Sequence, residues 1–151
     1  MKCLGLLICA LFLASCSTPQ HTWPNQNRDI VWTAMVAAAK APDYNAVDPR
    51  KRWIVLDNTV EVNSETGVIL VRRKLARSIT LPLQVEQTDE RQWFFTIQLL
   101  PGQRPTATFD TVGQTIVPAR VHDEAQRFFK LVNELVGNGV VVRIPANEYA
   151  K

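Results

Sequence analysis

Residues 92–100 read Gln92-Trp93-Phe94-Phe95-Thr96-Ile97-Gln98-Leu99-Leu100. Trp93, Phe95, Ile97 and Leu99 take every second position, and Phe94, Thr96 and Gln98 the positions between. Successive side chains of a strand point to opposite faces, so this alternation predicts a strand with one strongly apolar face. That face must be buried against another layer, and the flanking sequence offers both more strands and two helices to build it.

Downstream, Pro101-Gly102 reads as a turn and residues 106–112, through Phe109, as the next strand. Upstream, residues 68–75 form a strand that follows the turn Ser64-Glu65-Thr66-Gly67, where Gly67 supplies a positive-φ position. Residues 52–63 form the strand before it, with Asp57-Asn58 marking a bulge or break. Between the two hairpin halves, Pro82 argues against a central strand, residues 83–86 suit a short edge strand, and Thr88-Asp89-Glu90-Arg91 reads as a turn.

Helical periodicity brackets the strands. Val31, Ala34, Met35 and Ala38 recur at i, i+3, i+4 and i+7, predicting a helix over 29–41 that Asn27 or Asp29 caps and Pro42 ends. Ala125, Phe128, Phe129, Val132, Leu135 and Val136 predict a second helix over 122–136, with Asp123 and Gln126 as a capping box and Gly137-Asn138-Gly139 as its stop. The β-branched run Val140 to Ile144 has two fates, pairing with an edge of its own sheet or adding to a partner's sheet. A free apolar edge favours aggregation, which argues for internal pairing. The order gives an α+β, two-layer domain: helix, antiparallel meander of about four strands, helix, with both helices on one sheet face.

The composition fits one such domain. The chain has 151 residues, 46% hydrophobic, with 17 Lys+Arg against 14 Asp+Glu. This excludes a disordered chain, a collagen, a multi-span membrane protein and a disulfide-rich toxin. The net charge of +3, or +2 once residues 1–15 are removed, is too small to argue for nucleic acid.

The N-terminus carries an address. Lys2 precedes a ten-residue apolar run, Leu4 to Leu13, and then small residues. A spanning helix needs about 20 apolar residues, so residues 1–15 read as a signal peptide and not as an anchor. Leu13-Ala14-Ser15-Cys16 resembles the lipobox of bacterial lipoproteins. The resemblance implies cleavage before Cys16, a thioether-linked diacylglycerol on its sulfur and an acyl chain on its amine. Ser17, where enterobacterial lipoproteins retained in the inner membrane carry Asp, implies export to the outer membrane. The cysteines agree: Cys3 and Cys9 leave with the signal, and the lipid consumes Cys16. Residues 16–28 then read as the lipidated cysteine and a polar tether reaching about 40 Å, leaving 29–151 as the domain. Trp23, within that tether, suits either the headgroup region or a fold back onto the domain.

The rest of the chain offers little chemistry. His21 and His122 are too far apart in sequence for a zinc motif, and neither HExxH nor CxxC occurs. The carboxylate pairs Asp89/Glu90 and Asp123/Glu124 fall at a predicted turn and a predicted helix start, where the macrodipole already accounts for the second pair. No enzyme, metal or cofactor is expected beyond the lipid on Cys16. One cluster stands out. Arg50, Lys51 and Arg52 open the first long strand, and Arg72, Arg73, Lys74 and Arg77 close the second, so an antiparallel hairpin brings both groups to one end of the sheet. They form either a rim for anionic headgroups or lipid A phosphates, or a solvated edge balanced by Asp57, Glu61 and Glu65.

The element order, with the stretch Ile30 to Met35 and the turn Glu65 to Val68, resembles the helix-grip-like domains of outer-membrane assembly lipoproteins such as BamC. The lipopolysaccharide-transport lipoprotein LptE has a similar order. The lipobox, Ser17, the tether, the small two-layer domain and the lack of a catalytic constellation together lead to the expectation of a non-catalytic, periplasm-facing outer-membrane lipoprotein, held by its lipid and serving as an accessory or binding subunit for an envelope protein partner. The alternative is a lipid- or lipopolysaccharide-binding module.

Overall fold

The computed structural model describes residues 18–45, 52–79, 87–112 and 118–137. Seven elements follow in order: β1 (Gln20–Thr22), α1 (Arg28–Lys40), β2 (Ile54–Asn63), β3 (Val68–Ile79), β4 (Gln87–Leu100), β5 (Thr106–Thr111) and α2 (Pro118–Gly137). The strands form one antiparallel sheet in the order β1-β5-β4-β3-β2. The α+β expectation holds, with a fifth strand at the β5 edge.

Strand alternation sorts the sheet as the sequence of β4 requires. Phe95, Ile97 and Leu99 are buried, while Phe94 is only partly covered. Their register partners Val71 and Ile69 on β3, and Phe109 and Ala107 on β5, share that face and are buried too. Val31, Met35, Ala38 and Ala39 of α1 and Ala125, Phe128, Phe129 and Val132 of α2 join them in one core. Phe109 sits at its centre, 5.1 Å from the Phe95 ring and 6.0 Å from that of Phe128. Fully burying a side chain of this size contributes roughly 1.5–3 kcal/mol.

Several boundaries differ from the sequence reading. The stretch taken as a tether is part of the domain from Pro19 onward. β1 pairs with β5, the Phe109 amide donates to the Pro19 carbonyl at 2.9 Å, and the Trp23 amide donates to the Pro105 carbonyl at 2.8 Å. Trp23 is buried, and its indole N–H donates to Asn133 Oδ1. Of its two expected sites, Trp23 takes the one against the domain. Asn27 caps α1 by accepting from the Asp29 amide at 2.7 Å. Arg28, the first helical residue, donates to the carbonyls of Leu99 and Leu100 and ties α1 to the end of β4.

The hairpin of β3 and β4 is also longer than expected. Residues 88–91 are strand, not turn. Ser78 pairs with Thr88, Arg77 with Asp89, Ala76 with Glu90 and Leu75 with Arg91. The charged residues that suggested a turn are neutralised across the ladder: Arg77 meets Asp89 at 2.9 Å, and Lys74 meets Glu90 at 2.8 Å. α2 begins at Pro118, a turn earlier than residue 122, so Asp123 lies in its second turn and the proposed capping box does not form. Proline suits a first helical position because its missing N–H has no partner to lose there. The suggested edge strand at 83–86 and the run Val140 to Ile144 lie outside the described residues.

The turn is placed as the sequence indicated, and the bulge falls one residue before the Asp57-Asn58 pair that suggested it. The Asn63 side chain accepts from the amides of Glu65 and Thr66. Gly67 adopts φ +68°, and a Cβ there would stand 2.8 Å from the Leu99 carbonyl oxygen. The register of β2 shifts between Val55 and Asp57, which makes Leu56 the extra residue.

Candidate functional site

The inner face of β3 and β4 changes character along its length. Near the turn at Gly67 it carries Ile69, Val71, Ile97 and Leu99. Beyond Phe95 the same alternation places Arg73, Leu75 and Arg77 beside Trp93, Arg91 and Asp89. The bulge at Leu56 lets the chain before β2 bring Trp53 beside these arginines. The Arg77 and Arg91 guanidiniums lie 4.6 and 5.2 Å from the Trp53 ring centroid. Tyr44 enters from the segment after α1, and Arg120, Asp123, Glu124 and Arg127 from α2. With Leu75 and Trp93, these residues line an open cleft of about 180 Å³.

A buried ion network forms its floor. Arg73 and Glu124 are 3% and 5% exposed, so neither charge is solvated. Arg73 Nη1 lies 3.3 Å from Glu124 Oε1 and donates to the Tyr44 hydroxyl at 2.8 Å; that hydroxyl donates to the same carboxylate oxygen at 2.5 Å. Arg73 Nη2 donates to the Ala39 carbonyl and Nε to Asn58 Oδ1. Asn58 in turn donates to the carbonyls of Ala39 and Lys40, the last of α1. Arg127 Nη1 donates to the second Glu124 oxygen at 2.7 Å. Desolvating two charges costs several kcal/mol, and such a pair persists only when its remaining donors and acceptors are satisfied, as they are here. Burial pushes the Tyr44 phenol well above the ordinary tyrosine range, and the Glu124 charge adds to the effect. Tyr44 is therefore a neutral hydrogen-bond relay at any physiological pH.

A second cluster forms the outer lip. Asp89 accepts from both Arg77 and Arg91. Desolvation alone would raise the Asp89 carboxyl, but hydrogen bonds and charge from Arg91 and Arg77 outweigh it and hold the group below the usual carboxylate range. The Trp93 indole nitrogen is buried and has no acceptor among the described residues.

The basic residues singled out by sequence divide between the two sheet faces. Arg73 and Arg77 point inward, one into the buried network and one into the lip. Arg72 and Lys74 point outward, where Arg72 pairs with Glu61 at 2.8 Å and Lys74 with Glu90. Arg52 is exposed, and Arg50 and Lys51 lie outside the described residues. Clustering in sequence placed the described members of the group at the correct end of the sheet but not on one face, because a strand sends neighbours to opposite sides. Of the carboxylates assigned to a turn and a helix start, Asp89, Asp123 and Glu124 are the anions of this site, while Glu90 pairs with Lys74 on the outer face. His122 is exposed in the second turn of α2. His21 packs against the rings of Trp23 and Phe129.

Among the described residues no group of His, Cys, Asp and Glu is placed to hold a metal ion, and no helix is long and apolar enough to cross a membrane. No family model matches the chain, and no curated protein matches it.

Proposed function

We propose that this chain is a non-catalytic outer-membrane lipoprotein, anchored through acyl chains on Cys16, that presents its α+β domain to the periplasm as an accessory or binding subunit. The observation that carries the reading is the motif Leu13-Ala14-Ser15-Cys16 directly after a ten-residue apolar run. Because Pro19 is already bonded into the sheet, only Ser17 and Thr18 separate it from Cys16, three Cα-to-Cα steps. That span reaches about 10 Å when fully extended, so the lipid would hold the β1 edge close to the headgroups and not at the end of a long tether. Three acyl chains would make this attachment firm, since each buried methylene adds about 0.8 kcal/mol. The second reading, a lipid- or lipopolysaccharide-binding module, draws support from the arginine- and tryptophan-lined cleft.

The test is Cys16→Ala in the full chain, followed by membrane fractionation and labelling with a radioactive fatty acid. Labelled protein in the outer membrane for the wild type, with an unlabelled precursor or soluble form for the variant, supports the anchor. An unlabelled wild type, or a variant that fractionates unchanged, refutes it.

A further inference from the structure

We propose that the cleft between the β3–β4 hairpin and α2 binds a phosphate monoester, the dianionic end of a soluble sugar phosphate or of a lipid headgroup. The proposal rests on the binding-subunit reading and names the chemistry of its site.

Charge supplies the first argument. Arg77 and Arg91 share one carboxylate, Asp89. Arg73 and Arg127 likewise share one, Glu124. Each shared carboxylate leaves one positive charge over. Arg120 and Asp123, the other charged lining residues, offset each other. Among the described residues the excess is therefore two positive charges, and a phosphate monoester carries about −1.5 to −2 near neutral pH. A monoanionic diester or a simple carboxylate would leave part of it unmatched.

Geometry supplies the second. The cationic groups are arginines, whose planar forks match phosphate oxygens better than a lysine point charge does. Arg77 and Arg91 are held at fixed positions by Asp89 and by the Trp53 ring, and Arg127 by Glu124 and the Tyr44 ring 4.8 Å from its guanidinium carbon. Such preorganisation lowers the ordering cost of binding. Trp53, Trp93 and Leu75 are apolar walls that weaken solvent screening of the charges between them. Size supplies the third. A volume of about 180 Å³ lies below the roughly 300 Å³ where sites for drug-sized ligands begin. It suits a headgroup.

The experiment is calorimetric titration of the protein as purified from whichever fraction holds it, in neutral detergent. The titrants are glucose 1-phosphate, short-chain dihexanoyl phosphatidic acid, and glucose as the phosphate-free control. Arg91→Gln and Arg120→Gln remove a cleft guanidinium; Arg120 is exposed on α2, so its variant keeps the test open should Arg91→Gln disturb the lip. Arg72→Gln removes the same charge from the opposite sheet face. Saturable binding of at least one monoester is expected, weakened about tenfold by each cleft variant and unchanged in Arg72→Gln. Saturation by glucose 1-phosphate identifies a soluble source, and saturation by the phosphatidic acid alone a lipid one. The proposal is overturned if neither monoester saturates by about 10 mM. It is also overturned if glucose binds equally well, or if Arg72→Gln weakens binding as much as the cleft variants. The Cys16→Ala outcome is independent of this titration, so failure of the cleft and failure of the anchor are separable.

Discussion

Replacing Glu124 by Gln tests whether the buried network is what joins α2 to the sheet. The change is nearly isosteric, so no cavity forms. It removes the charge opposite Arg73 and Arg127 and turns one acceptor into an amide donor. Arg73 would remain 3% exposed, with its Tyr44, Ala39 and Asn58 partners but without its counter-charge. Breaking one side of a buried ion pair costs about 3–5 kcal/mol, chiefly because the surviving charge cannot reach water. In a domain of this size each kcal/mol lowers the melting temperature by roughly 3–5 °C, so a fall of about 10–20 °C is expected. The matched control is Glu61→Gln. Glu61 pairs with Arg72 at 2.8 Å, close to the 2.7 Å of the Arg127–Glu124 contact, but Glu61 and Arg72 are both more than half exposed. That pair is worth about 0–1 kcal/mol. Urea denaturation, read by tryptophan fluorescence, should show a large fall in midpoint for Glu124→Gln with little change in slope, and almost none for Glu61→Gln. Similar small losses for both would refute the argument, because Arg73 would then have to be solvated.

Three further outcomes follow from the geometry. Gly67→Ala should destabilise by about 2–3 kcal/mol, since φ is +68° and the new Cβ would press on a backbone oxygen, whereas Gly137→Ala, with open space around it, should change stability by less than about 1 kcal/mol in the same denaturation assay. Phe95→Ala should cost about 3–5 kcal/mol and Phe94→Ala clearly less, because only Phe95 is buried; equal losses would contradict a sheet with one covered face. In a spectrophotometric alkaline titration Tyr44 should stay protonated above pH 10, its ordinary pKa, until the domain unfolds. There the unfolded chain has released the phenolic proton while the folded one retains it, so this contribution to stability is present below pH 10 and falls as the pH rises further.

How much of this was legible in the sequence depends on which residues are asked. The period-two pattern of 92–100 and the periodicity of the two helices identified the layers, because burial of one face leaves a pattern that a single chain records. The turn at Gly67 was legible because only one residue type accepts that backbone conformation cheaply. Strand ends were not. Residues 88–91 look like a turn by composition, and only their partners 75–78 on the neighbouring strand make a polar ladder stable there. Pro19 to Thr22 looks like a tether for a related reason. A three-residue edge strand has too little sequence to show a period, and what holds it is the backbone of β5 and the burial of Trp23.

The cleft was still less visible, and the reason is combinatorial. Its residues come from the segment after α1, the entry to β2, two strands and α2, so no stretch contains more than a few of them. Arg72 and Arg73 are neighbours of one type, yet one is solvent-exposed and the other 3% exposed. What separates them is strand parity, which follows from the register of Val71 against Phe95. Parity was readable for β4 from its own apolar alternation. Carrying it onto β3 needs the pairing offset, because a slip of one residue exchanges the faces. Once the offset is known, the inward set Ile69, Val71, Arg73, Leu75, Arg77 follows directly, and two arginines on an otherwise apolar face become the anomaly to explain. A buried arginine requires a buried anion. Glu124 is the glutamate that the apolar stripe of α2 carries to that face, beside Ala125 and one turn before Phe128. The site is thus a consequence of the fold's own charge balance, and among the described residues two positive charges beyond that balance are what the proposed phosphate would meet.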